Sequence, residues 1–414
     1  MSTIDLVFEG GGAKGMVFTG ALDVLFGMGH VHGRLLGTSA GAITAVSLAA
    51  GYSPAEMQAA LVEQDPTTKK PLLAGFLGLP APFDDAAVRA SDIHTLLAEL
   101  NIPFVPDAAE ERIEDWIARQ LASNEQTRHF FAFIARGGWY SADPFVTWLK
   151  RRLSTGEFNG APRNYAAMTL AQFHEATGAE VTLVAADTTD ARMLLLNHRT
   201  APDCPVVWAA RMSMSVPLLW EEVTWQADWG EYWAWDAQAQ QLQRQAISGH
   251  TIVDGGLVSN FPIALFLASR ADVAAVMGPA QAKNVLGLLI DETLPVPGHP
   301  KPKTGGAGPT KLGSLQTVQR LATLANTATA GHDNMAKAAF ARHVVRLPAK
   351  GYGTTDFDMP DEDREALVEA GRQAMESFLG QQSVLESVDT DALFAVTAGM
   401  RSLANEAAAS ILLH

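Results

Sequence analysis

Residues 37–41 read Gly-Thr-Ser-Ala-Gly. A serine set between two such glycines marks a sharp turn from a β-strand into an α-helix, with the hydroxyl left exposed. The pattern demands a buried strand before it and a closely packed helix behind it. Both are legible. Arg34-Leu35-Leu36 suits a buried strand end, and Ala40 to Ala50 is small and largely apolar, as a helix tight against a strand requires. Gly37 and Gly41 flank the serine because side chains there would clash where strand and helix cross. In a chain with 35 glycines such a match arises cheaply, so it needs support from elsewhere.

The support lies upstream. Gly10-Gly11-Gly12-Ala13-Lys14-Gly15 follows a strand-like run from Ile4 to Phe8 and opens a helical stretch. Such a loop can present bare backbone N–H groups to an anion. An exposed serine beside a ready-made oxyanion site is what acyl transfer requires. The same loop satisfies Gly10-x-Gly12-x-x-Gly15, the dinucleotide fingerprint. That fingerprint calls for an acidic residue at the end of the second strand, and His30 to Leu36 contains none. Arg34 keeps an NADP variant open, so a dinucleotide-binding oxidoreductase stands as the alternative from a different class. A phosphate P-loop fails, since Gly15 is followed by Met16-Val17.

A third element separates these readings. Residues 251–262 read Thr-Ile-Val-Asp-Gly-Gly-Leu-Val-Ser-Asn-Phe-Pro, with Asp254 ending an apolar strand and meeting two glycines. Taken together, Gly10 to Gly15, Gly37 to Gly41 and Asp254 to Gly256 resemble the three blocks of the patatin-like phospholipase family, in the same order. Ala210 to Pro217 resembles the family's small-residue segment ending in proline, and Asn260-Phe261-Pro262 its Asn-x-Pro. The resemblance covers residues 4–60 and 165–290 most clearly. It implies a three-layer α/β/α fold with a mostly parallel central sheet. It also implies a lipid acyl hydrolase of phospholipase A or lysophospholipase type, with a Ser–Asp dyad. Ser39 would be the nucleophile and Asp254 its general base. The amides of Gly10, Gly11, Gly12 and Ala13 would form the oxyanion hole. Lys14, counted with them in the hole, would also tie the loop down or add positive charge. Glu9 departs from the family's usual aspartate.

The dyad has its own physics. A serine hydroxyl is a poor nucleophile until a base takes its proton. An aspartate with a pKa near 3.9 is a weak base, and burial raises it. Without an intervening histidine the two groups must touch directly. The helix after Ser39 points its positive end at the reacting centre, and the amide of Ala40 adds a further oxyanion donor. A Ser-Asp-His triad in chain order would recruit His299, His332 or His343. An acyltransferase would use the same nucleophilic half-reaction and differ only in the acceptor.

Composition sets the frame. The 414 residues are read as a single α/β hydrolase domain over 1–414, with 48% hydrophobic and 18% charged residues placing it among globular chains. The segment 51–140 is read as a helical insertion that serves as a lid or substrate wall, with helices at 86–100 and 110–121. Further elements are a helix at 143–153, strands at 180–187 and 193–196, and a mobile loop at 295–310. A helix at 312–336, a strand at 343–347 and a helix at 361–378 follow. The lone Cys204 excludes an intramolecular disulfide and reads as a core residue. No metal-ligand spacing appears, and no cofactor is expected.

The net charge of −15 argues against a nucleic-acid partner and against general attraction to anionic membranes. Lys69-Lys70 and Lys150-Arg151-Arg152 read as solvated helix faces. The N-terminus lacks the features of a signal peptide, and no run of about 18 apolar residues suggests a membrane span. The expectation is a cytoplasmic enzyme acting on membrane or micellar lipid. Six of the nine tryptophans fall between 208 and 235. They suit either a core or, over 220–236, a peripheral membrane contact.

Overall fold

The computed structural model describes residues 2–65, 69, 71–99, 107–280, 284–299, 339–385 and 398–412. Its centre is an eight-stranded sheet: β1 (Thr3–Phe8), β2 (Val31–Thr38), β3 (Val181–Asp187), β4 (Arg192–Leu196), β5 (Val223–Thr224), β6 (Thr251–Asp254), β7 (Asn284–Pro295) and β8 (Val344–Lys350). The spatial order is β8-β7-β1-β2-β3-β6-β5, with β4 paired to the free side of β3's register. The pairs from β8 through β3 are parallel, and those involving β4, β5 and β6 are antiparallel.

Strands covered on both faces read as continuous apolar runs, and here successive residues serve opposite faces. Leu6, Leu35 and Leu183 join one core cluster, while their neighbours Val7, Leu36 and Val184 join the other. On the first face lie helices α1 (Val17–Gly27), α2 (Ala40–Ala49), α6 (Val206–Ser213) and α7 (Asp361–Leu385). On the second lie residues 264–277 and α8 (Ala398–Leu412). The expected three-layer α/β/α arrangement with a mostly parallel sheet is therefore the observed one.

The described residues between 51 and 140 are mainly helical, among them α3 (Asp107–Ser123) and α4 (Glu125–Ala135), around a small core of Val88, Ile93, Ala118, Ala122 and Phe131. The single helix expected at 86–100 is two, Asp85–Arg89 and Asp92–Ala98. Ser91 breaks the run because its Oγ accepts the His94 N–H at 3.2 Å and caps the second helix. Helix α5 (Asp143–Arg152) follows as expected. The helix expected at 312–336 lies outside the described residues, as does most of the loop expected at 295–310.

Register fixes where the site forms. Phe8, the last residue of β1, stands opposite Gly37 of β2 and Leu288 of β7. Thr38 stands opposite Val184, and Asp254 opposite Ala185. The glycine loop and Ser39 thus emerge at the carboxyl edge of adjacent parallel strands, where α/β sheets form their ligand crevices, and Asp254, ending the antiparallel β6, stands within one residue of the Thr38 level along β3.

Candidate active site

Ser39 occupies the turn between β2 and α2 with φ 54° and ψ −119°. This is left-handed backbone, which a residue with a side chain adopts at a cost of roughly 1–3 kcal/mol. Two features hold it there. A Cβ on Gly37 would lie 2.2 Å from the Gly41 carbonyl oxygen, and one on Gly41 would lie 2.3 Å from that of Phe8. The bare backbones let α2 start directly under the strand. In addition, the Ser39 N–H donates to Ser213 Oγ at 3.0 Å, and that hydroxyl donates to the Val184 carbonyl at 2.6 Å.

Asp254 ends β6. Its N–H donates to the Ser215 carbonyl at 2.9 Å, and its Oδ1 accepts the Gly256 N–H at 2.7 Å. The residue is only 4% exposed, and Oδ2 makes no hydrogen bond of ordinary geometry. Burial pushes the carboxyl up to about 7, with the Gly256 amide and the adjacent Ser39 hydroxyl opposing the rise. The two groups face each other, and no histidine among the described residues is placed between them.

Of the three histidines considered for a triad, His343 is buried with Nδ1 on the Val285 carbonyl at 2.9 Å. Val285 stands opposite Asp5, toward the start of its strand, so His343 sits away from the carboxyl edge that carries Ser39. His299 faces Glu362 at 3.6 Å. His332 lies outside the described residues.

The glycine loop passes against Ser39: a Cβ on Gly10 would lie 3.0 Å from Ser39 Cβ and 2.2 Å from Asn260 Oδ1. Asn260 grips Gly10 from both sides, its Nδ2 donating to the Gly10 carbonyl at 3.0 Å and its own carbonyl accepting the Gly10 N–H at 3.3 Å. The Ala13 N–H goes to the Thr354 carbonyl at 2.9 Å and that of Lys14 to Gly11 at 3.3 Å. Three of the six expected oxyanion donors, Gly10, Ala13 and Lys14, are therefore engaged elsewhere through their amides. Gly11, Gly12 and Ala40 remain. The Lys14 ammonium, almost wholly buried, pairs with Glu292 of β7, and the Glu9 carboxylate takes the Ile290 N–H at 2.7 Å. Both side chains fasten the loop to the strand beside it.

Arg34 is buried and committed, with a 2.7 Å ion pair to Asp5 and its guanidinium over the Phe266 ring. It is not free to meet a nucleotide phosphate. His174, Glu180 and His198 approach one another, as do Asp187, Asp190 and His250. The carboxylates already carry arginines: Arg199 on Glu180 at 2.6 Å and Arg192 on Asp187 at 3.2 Å.

Sequence reasoning missed Ser213 as the anchor of the Ser39 amide, although Ser213 lies in the segment singled out before Pro217. It also missed Arg211, whose buried guanidinium donates to Ser215 Oγ and the Glu221 carbonyl. Burial lowers that arginine to about 10. The tryptophans divide. Trp220, Trp225 and Trp229 are buried, with Trp220 Nε1 on the Phe76 carbonyl and Trp225 Nε1 on that of Gly230. Trp208, Trp233 and Trp235 are half-buried. Within 220–236, Val223 and Tyr232 are buried with Trp220, Trp225 and Trp229, while the residues between them are exposed or half-buried.

The sequence model described as "Patatin-like phospholipase" matches residues 6–267, more than half of the chain. The chain belongs to the patatin-like phospholipase family. It is 26% identical over 385 residues to the uncharacterized protein YqhO of Bacillus subtilis, covering 91% of this chain and 98% of that one. Among solved structures, VipD from Legionella pneumophila aligns with TM-score 0.41 and 14% identity over 92% of this chain and 67% of its own. The type III effector ExoU of Pseudomonas aeruginosa aligns with TM-score 0.37 and 18% identity, over all of this chain and 61% of its own. Among the described residues no helix is long and apolar enough to cross a membrane.

Proposed function

We propose that this patatin-like protein hydrolyses carboxylic esters of membrane or micellar lipids through a Ser39–Asp254 dyad, as a phospholipase A or lysophospholipase. The observation that carries this reading is the buried Asp254 carboxyl facing the strained Ser39 turn, with Oδ2 left without a conventional partner. A carboxyl raised to about 7 is a far better base at neutral pH than a solvated one. In this mechanism Asp254 Oδ2 takes the Ser39 Oγ proton as Oγ attacks the ester carbonyl. The resulting oxyanion is held by the amides of Gly11, Gly12 and Ala40. Asp254 returns the proton to the departing alcohol oxygen as the C–O bond breaks, leaving an acyl-Ser39. Water, deprotonated by Asp254, then attacks the acyl carbonyl and Ser39 leaves with a proton.

The test is labelling with a fluorophosphonate, alongside ester hydrolysis, in wild type, Ser39→Ala and Asp254→Asn. Labelling of wild type alone, with parallel loss of hydrolysis in both variants, is the expected result. Hydrolysis that survives Ser39→Ala would overturn the reading. Inclusion of phospholipid vesicles reports whether the site needs an interface to act.

A further inference from the structure

Beyond the span matched by the family, the chain comes back to the glycine loop. After β8 it runs Gly351-Tyr352-Gly353-Thr354-Thr355-Asp356-Phe357. The Thr354 carbonyl accepts the Ala13 N–H at 2.9 Å. A Cβ on Gly12 would lie 2.1 Å from that same oxygen, and Gly12 has φ +56°. Only a glycine at position 12 admits both the left-handed turn and the incoming carbonyl.

The turn presenting Thr354 is held from within. Asp356 Oδ2 accepts the Gly353 N–H at 2.8 Å, and the Asp356 N–H reaches back to the Gly353 carbonyl at 3.3 Å. The next residue anchors it. Phe357 is buried with its ring 6.1 Å from Phe76 and 5.9 Å from Trp220. Phe76 in turn packs edge-on to Phe145 and Trp148. Three residues span at most about 11 Å, so this aromatic cluster stands close beside the oxyanion loop.

We propose that residues 351–357 are a clamp that sets the oxyanion-binding loop, with Asp356 as its positioning residue and Phe357 as its anchor. The catalytic consequence rests on the function proposed above; the clamp itself does not. Fixing the Ala13 amide fixes the peptide planes before it, and with them the aim of the Gly11 and Gly12 amides. Oxyanion stabilisation depends on donors aimed in advance, and a misplacement of about 1 Å is worth roughly 100-fold in rate. Asp356 contacts none of the reacting groups, so its effect falls on kcat and not on substrate affinity.

The experiment follows backbone hydrogen exchange at residues 10–15, together with steady-state ester hydrolysis, in wild type, Asp356→Ala and Asp356→Asn. Asparagine keeps an oxygen acceptor for the Gly353 N–H; alanine does not. The expected result is faster exchange at Ala13 in Asp356→Ala alone. Its kcat should fall roughly 10- to 100-fold with KM little changed, and Asp356→Asn should behave near wild type. Unchanged exchange at Ala13 in Asp356→Ala overturns the clamp. Faster exchange with unchanged kcat overturns its catalytic role. Phe357→Leu gives a second test on a milder variant, with a smaller rise at the same amide expected and no rise counting against the clamp. Should wild type hydrolyse no ester, the exchange data still decide the clamp, and only the reading of the site as an ester hydrolase falls.

Discussion

The Ser39 amide is held by Ser213: its N–H donates to Ser213 Oγ at 3.0 Å, and Ser213 Oγ–H is spent on the Val184 carbonyl. One hydroxyl thus links the backbone of Ser39, the proposed nucleophile, to the neighbouring strand. The Ser39 N–H is thereby engaged by the protein itself. Ser213→Ala leaves a buried N–H unpaired, which destabilises by roughly 1–3 kcal/mol. We expect a lower urea midpoint of that order and a kcat reduced about tenfold, because the strained Ser39 conformation loses its support. A variant with wild-type turnover would show that the glycine pair alone suffices.

The proposed dyad carries a pH signature. As its general base Asp254 must be ionised to act, so kcat/KM is expected to rise with pH and level off above about 7. Stability should run the opposite way. The folded carboxyl sits above its ordinary value of 3.8 because burial penalises the charge. Its favourable contribution is complete at acid pH and is lost as pH rises through about 7. Asp254→Asn removes that penalty while keeping an acceptor for the Gly256 N–H. The variant should therefore be inactive yet more stable than wild type, with the gap widening between pH 5 and pH 8 by on the order of 2 kcal/mol. Thermal melts at the two pH values check it, and a gap that stays constant or narrows would contradict the burial argument.

The loop's ion pair is lopsided. The Lys14 side chain is 3% exposed and that of Glu292 58%. Removing the carboxylate strands a buried ammonium, whereas removing the lysine leaves a carboxylate that water can serve. Glu292→Gln should therefore lower stability by roughly 1–3 kcal/mol, more than Lys14→Met does. Equilibrium unfolding of the two single variants and the double variant measures the asymmetry. Equal losses would mean that the ammonium finds another partner.

What the sequence disclosed follows from how each contact is made. The meeting of Ser39, Asp254 and the glycine loop in one place was legible because each belongs to a short local pattern. Gly37 and Gly41 announce a strand–helix crossing whatever the rest of the fold does. The alternation of Leu35 and Leu36 between the two faces was implicit in an apolar strand. Ser213 was hidden because a serine beside a small-residue helix reads equally well as filler. The Thr354 contact left no trace, since it uses a backbone carbonyl 341 positions from Ala13, and any residue there supplies the same oxygen. The break at Ser91 was missed because helical spacing of apolar residues continues through it while the capping hydroxyl ends the ladder. The engagement of the Gly10, Ala13 and Lys14 amides was hidden for a related reason. A glycine-rich loop shows how many amides could face an anion, but not how many the fold has already spent.

The last prediction separates structure from chemistry at His343. Its ring is buried between the Val285 carbonyl and the Met400 sulfur, at 2.9 and 3.1 Å. Burial holds it below the ordinary histidine range. A group so placed packs α8 against β7 and does not reach Ser39. His343→Ala should lower stability by roughly 1–3 kcal/mol through the cavity and the unpaired carbonyl, yet leave kcat within a few fold of wild type at a temperature where the variant is folded. His299→Ala, at the surface beside Glu362, should change neither. Measuring kcat and the unfolding midpoint on the same preparations distinguishes the two effects. A loss of several orders of magnitude in kcat at either histidine, with stability intact, would replace the Ser39–Asp254 dyad by a triad and move the general base from the buried carboxyl to an imidazole.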